Sequence, residues 1–99
     1  MAADVPGNNH VAVTVPATER WVIRDFTGVN EAEATQSGDL TLAIAGHNGP
    51  NLHFTQNGPL SQTWNGWQVA RGGEQVVLYN NAGTFIAGIL TGYRFTNGP

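Results

Sequence analysis

The chain reads as an all-β protein, an antiparallel sandwich or barrel of about seven short strands, and three observations predict this. Thirteen Gly and five Pro punctuate its 99 residues every ten positions or so, the turn spacing of small sandwiches. Between these breaks apolar residues alternate with small or polar ones, the period-2 pattern of strands with one buried face. No stretch carries a helical period. Glu31-Ala32-Glu33-Ala34 contains helix formers, but it is too short to nucleate and Ser37-Gly38 follows at once.

Each element can be justified in turn. Residues 1–9 are rich in Pro, Gly and Asn and lack alternation. They read as a flexible arm preceding a sandwich domain over 10–99. Val11, Val13 and Val15 mark the first strand, which Pro16 stops because proline cannot donate to a ladder. The second runs from Arg20 to Val29, with Trp21, Ile23 and Asp25 on one face and Val22, Arg24 and Phe26 on the other. Asn30 to Asp39 is a polar loop. Leu40, Leu42 and Ile44 alternate with Thr41, Ala43 and Ala45 to give the third strand. Gly46-His47-Asn48-Gly49-Pro50 reads as a turn, and Leu52 and Phe54 as a short fourth strand closed by Asn57-Gly58-Pro59. Leu60 to Ala70 is the fifth. Asn65-Gly66 could close a tight hairpin, but one continuous strand with a bulge at Gly66 is the better reading. Val76 to Tyr79 is the sixth. The last strand places Phe85, Ala87, Ile89, Thr91, Tyr93 and Phe95 on one face. The expected core is Val13, Trp21, Ile23, Leu42, Ile44, Phe54, Val76, Leu78 and Ile89.

Composition excludes several functions. A net charge of −3, with four Arg and no Lys, argues against a nucleic-acid partner. No apolar run approaches the ~20 residues of a membrane helix, so no membrane partner is expected. The first residues lack the basic and apolar regions of a signal peptide, and there is no Cys. Both fit assembly in a cytoplasm. Charged residues are 11% of the chain, against a typical quarter or so. So weakly charged a surface is expected to be covered by neighbours.

No catalytic or cofactor site emerges. His47 and His53 flank a turn and could sit side by side, but a zinc site needs further ligands and His10 is distant in sequence. Arg24 and Asp25, adjacent on a strand, are expected on opposite faces. Glu31 and Glu33 read as solvated loop acids. Ser61, His53 and Asp25 form a triad only on paper, without a nucleophile elbow. Gly72-Gly73 lacks the Lys and helix of a phosphate loop. Arg20 and Arg94 could pair across strands with Glu19, Asp25 or Glu74, which would set register more than stability. The aromatic side chains are more informative. Trp21, Trp64, Trp67 and Tyr79 could line a sugar-stacking face, or fill the core and a subunit interface. Trp64 and Trp67, three apart, should face opposite ways unless Gly66 bulges.

The Val-Pro-Ala lead into Arg20-Trp21-Val22-Ile23-Arg24-Asp25, the strand Leu40 to Ala45, Trp64 to Val69, the Gly73-Glu74 turn and Gly92-Tyr93 together resemble a group of small β-sandwich virion proteins of tailed bacteriophages. The resemblance spans Val11 to Phe95, and Thr18-Glu19 departs from the usual basic-glycine step of the first turn. It implies a jelly-roll-like sandwich of seven to eight strands without catalytic residues or cofactor. It also implies a non-enzymatic capsid decoration protein, or a tail or fibre component, assembled in the host cytoplasm as a homo-oligomer of trimer type on the major capsid protein or tail proteins. Val5 and Pro6 of the arm, with Trp64, Trp67 and Tyr79, are then the expected partner-binding residues. A carbohydrate-binding sandwich module is the alternative from a different class.

Overall fold

The alternating runs become eight strands in a computed structural model that describes residues 1–30, 37–55 and 58–96. They are β1 (Ala2–Val5), β2 (Asn9–Thr14), β3 (Glu19–Val29), β4 (Gly38–Ile44), β5 (His47–Phe54), β6 (Ser61–Arg71), β7 (Gln75–Asn80) and β8 (Ile86–Thr96). Two four-stranded antiparallel sheets result, in the orders β1-β8-β3-β6 and β2-β7-β4-β5. Apart from the β4–β5 hairpin, the chain alternates between the sheets in a jelly-roll path, and there is no helix among the described residues. The segment holding Glu31 and Glu33, and Asn57 of the expected Asn-Gly-Pro turn, lie outside the described residues.

The core lies between the sheets. Leu40, Leu42, Leu52, Phe54, Val76 and Leu78 from one side meet Val5, Ile23, Phe26, Ala70, Ile86 and Leu90 from the other. The two faces interlock because small residues oppose large ones. Gly28 and Gly88 are register partners, and a Cβ at Gly28 would lie 3.0 Å from the Phe54 ring and 3.1 Å from Leu52. Volume added to such a packed site forces displacement. One polar anchor lies in this layer. The Asn80 side chain, 2% exposed, donates from Nδ2 to the carbonyls of Val5 (3.0 Å) and Thr84 (2.8 Å) and accepts from the Ala82 amide (2.8 Å). Satisfied burial of this kind holds the end of β1 to β7.

The structure corrects several expectations. The expected arm is in fact edge strand β1, paired with β8 from Ala2↔Ile89 to Val5↔Ile86. It lacks alternation because only Val5 reaches the core, where it is fully buried. A partner therefore cannot engage the Val5 side chain, and half-buried Pro6 offers its carbonyl to Asn80 (3.3 Å). On β8 the inward face is Ile86, Gly88 and Leu90, and Ile89 is 38% exposed. The bulkier set of alternate residues suggested the wrong face, because the inward glycines make room for Leu78 and Leu40. Of the remaining expected core, Ile23, Leu42, Phe54, Val76 and Leu78 are buried, and Val13, Trp21 and Ile44 pack against it partly exposed.

The turn between β4 and β5 is also shorter than its composition suggests. It is Ala45-Gly46, with φ of 53° and 80°, and His47 to Pro50 continue into β5. Two positive φ values define the hairpin turn that matches strand twist. Pro50 is tolerated because β5 is an edge strand. Ala45 carries a left-handed backbone that costs a side-chain-bearing residue about 1–2 kcal/mol, whereas Asn accepts it. Ala45→Asn is therefore expected to stabilise the fold by about 0.5–1 kcal/mol, measured as a rise in the urea midpoint with an unchanged slope.

Candidate functional site

The outer face of the β1-β8-β3-β6 sheet is shaped by irregularities on both sides of Arg24. Ile23 opposes Gln68 and Asp25 opposes Asn65, so β6 carries one extra residue at Gly66-Trp67. Against β8, Ile23 opposes Gly92 and Asp25 opposes Thr91, so β3 carries an extra residue at Arg24. Bulges bend a strand and re-aim its side chains. Here Ile23 and Phe26 both point into the core, and Arg24 and Asp25 between them both point outward. The strict alternation expected for β3, with Arg24 and Asp25 on opposite faces, fails for this reason.

β6 is continuous through Gly66, as expected, and its faces alternate there without a break; the change of parity lies in β3, between Ile23 and Asp25. Gly66 is required by its neighbour: a Cβ there would fall 2.2 Å from the Trp64 ring. Trp64 thus lies inward, packed against the core, while Trp67 is 60% exposed on the other face. The two rings do not form one platform.

Trp67 instead joins residues from β3 and β8. Arg20, Val22, Arg24, Trp67, Val69, Tyr93 and Phe95 line an open depression of about 590 Å³. Val22 forms its floor, opposite Val69 on one side and Tyr93 on the other. Val22 is only 6% exposed although it lies on the outer face, because larger side chains crowd round it. Arg24 fixes one wall. Its Nε donates to the Gly66 carbonyl at 2.8 Å, and its guanidinium lies 5.0 Å from the Trp67 ring centroid, within cation–π range. Tyr93 and Phe95, 61% and 50% exposed, form the other wall with ring centroids 6.5 Å apart.

The charge lining the depression is one-sided. Arg20 stands directly opposite Arg71 across the β3–β6 ladder, and no carboxylate lines the depression. Like charges in register are unfavourable without a counter-charge. The fourth cation, Arg94, pairs with Glu19 at 3.4 Å, and Glu19 also accepts from the Trp21 indole at 3.1 Å. That is one of the cross-strand pairs expected for Arg94. With Arg94 71% exposed, it contributes about 0–1 kcal/mol.

Tyr79 is on the opposite sheet, stacked at a tilt beside His10 with ring centroids 5.5 Å apart. The metal idea does not survive placement. His47 and His53 lie at opposite ends of β5, opposing Ile44 and Asp39 respectively, and no set of three metal-ligating side chains converges among the described residues. His53 Nδ1 is 2.5 Å from an Asp39 carboxylate oxygen. That hydrogen bond, helped by Asn51 and Asn81, holds the Asp39 carboxyl below its ordinary value against a smaller opposing effect of burial.

Tyr93 and Phe95 were missing from the expected site. The alternation of β8 puts them on the face of Ile89, which bulk alone suggests is buried.

No protein-family model and no curated protein sequence matches this chain. Solved structures do resemble it. A family 35 carbohydrate-binding module from an environmental isolate superposes with a TM-score of 0.58 at 15% identity, over 93% of this chain and 72% of that one. CBM35 from Cellvibrio japonicus Abf62 superposes with a TM-score of 0.55 at 19% identity, over 95% of this chain and 73% of that one. At such identities the likeness is one of fold, and it confirms the sandwich.

Two outcomes follow from the geometry. Gly66→Ala must displace the Trp64 ring, so it should cost about 1–3 kcal/mol in chemical denaturation and shift tryptophan fluorescence. Asp39 has a depressed folded pKa, so its contribution to stability is full above the ordinary aspartate value of about 3.9. It is lost as pH falls through the lower folded value. An NMR titration should place the Asp39 midpoint below the ordinary value in the native protein and nearer to it in His53→Ala.

Proposed function

We propose that this chain is a non-catalytic carbohydrate-binding module, and that the depression around Trp67, Tyr93 and Phe95 is its saccharide site. The observation that carries the reading is the exposed three-ring surface with a dry Val22 floor. The apolar faces of sugar rings stack on aromatic rings, and their hydroxyls accept hydrogen bonds from groups beside the stack. Arg20 and Arg24 supply those donors. A site with three arginines at hand and no lining carboxylate favours chains that carry acidic groups. The fold likeness to carbohydrate-binding modules supports the reading as an analogy.

The virion reading has less support. Neither structure described above is a virion protein, and the segment expected to attach to a shell is occupied as β1. Exposed Trp, Tyr and Arg are nevertheless also the residues of protein interfaces. The expected homo-oligomer, if it forms, would use this same face.

Affinity electrophoresis in gels containing neutral and acidic polysaccharides separates the readings. The native chain should be retarded, most by acidic polymers at low salt. Trp67→Ala should weaken the retardation at least ten-fold, equivalent to about 1.4 kcal/mol, with the unfolding midpoint unchanged. Absence of retardation in every gel, together with a trimer in sedimentation that Trp67→Ala dissociates, would replace the saccharide site with a subunit interface.

A further inference from the structure

The outer face of the other sheet carries a second constellation, of different chemistry. A row of side chains crosses all four strands in register: His10 on β2, Tyr79 on β7, Thr41 on β4 and Asn51 on β5. Tyr79, at the centre of the row, is 45% exposed. Asn9, Asn81 and Asp39 stand beside the ring and close an open depression of about 300 Å³ around it. Their positions are fixed by short contacts. Thr41 Oγ1 donates to Asn51 Oδ1 at 2.5 Å. The Asp39 amide donates to Asn81 Oδ1, also at 2.5 Å, and the Asn81 amide donates back to the Asp39 carbonyl at 3.1 Å.

We infer that this face is a second, separate saccharide site, selective for neutral, hydroxyl-rich chains. Tyr79 supplies the stacking surface, half-walled by His10. The Asp39 carboxylate accepts from ring hydroxyls, and the side-chain amides of Asn9 and Asn81 both donate and accept. Asp39 stays ionised because His53 hydrogen-bonds its carboxyl, so an acidic sugar would be repelled. No Arg lines this depression, the converse of the face around Trp67.

The two sites cannot serve one ligand ring. Trp67 and Tyr79 are on the outer faces of opposite sheets. The Gly73 amide bonds the Val15 carbonyl, which places the start of β7 beside the start of β3 and the end of β6. Tyr79 is therefore at the far end of the sandwich from the depression that Arg20 and Tyr93 line. A chain held at one site leaves the other open, so the module can join two polymer chains, and linked binding raises the apparent affinity for insoluble material.

The test is an amide chemical-shift titration of the native protein with xylohexaose, cellohexaose and mannohexaose. It is repeated on Tyr79→Ala, Tyr79→Phe and Trp67→Ala. The inference expects at least one neutral hexasaccharide to move the amides of Asn9, Thr41, Tyr79 and Asn81. That response should weaken at least ten-fold in Tyr79→Ala, persist in Tyr79→Phe and be unchanged in Trp67→Ala. Absence of any shift around Tyr79 at millimolar hexasaccharide, or an undiminished response in Tyr79→Ala, overturns it. The site around Trp67 is read separately from acidic polymers, so either site can fail alone.

Discussion

Arg24 is the pivot of this structure. It is one residue too many for the ladder to β8, and on its other side it faces one residue too many in β6. A sheet of uninterrupted alternation would have sent either Ile23 or Phe26 to solvent. The insertion lets both enter the core and leaves Arg24 outside, where its side chain holds the Gly66 carbonyl and lies by the Trp67 ring. Packing and presentation thus share one device. The same bulge that corrects the phase of the buried face orients the exposed aromatic group, and Gly66 makes it possible by leaving room for Trp64.

All four arginines lie in the same sheet as that device. Arg20 and Arg24 are on β3, Arg71 ends β6 and Arg94 is near the end of β8, so a protein of net charge −3 has one basic end. Acidic and amide groups dominate around Tyr79 instead. Under the two proposed sites, charge separated in this way would give each face its own preference and orient an approaching polymer before contact.

Much of this was legible in the residues, and the failures have physical causes. Period-2 alternation located β2 to β4 and β6 to β8 within a few residues, but it missed the first half of β5, where Gly49-Pro50 reads as a turn and continues as an edge strand. It failed for Ala2 to Val5, where an edge strand of four residues buries a single side chain and is held by ladder bonds and by Asn80, which no hydropathy pattern records. It chose the wrong face of β8, because bulk does not distinguish a core face from a binding face when glycines line the former. It could not assign Arg24 and Asp25, because a bulge changes parity without any change in composition. Trp67 was legible as a candidate because it is one of few large aromatic residues in a weakly charged chain. Its neighbours Tyr93 and Phe95 were not, because they come from the strand two ladders away.

β6 is the outer strand of its sheet, eleven residues long and without a lysine. A flat edge of that length would be a template for pairing with another copy of the chain, and the scarcity of charge offers little to prevent it. Its side chains alternate without a break, with Trp64, Gly66 and Gln68 inward and Asn65 and Trp67 outward, so no change of phase along the strand interrupts that template. β6 is the longest of the four edge strands, so it is where this fold is most open to pairing with another copy, and a charge placed along it, as in Asn65→Lys, would close that route.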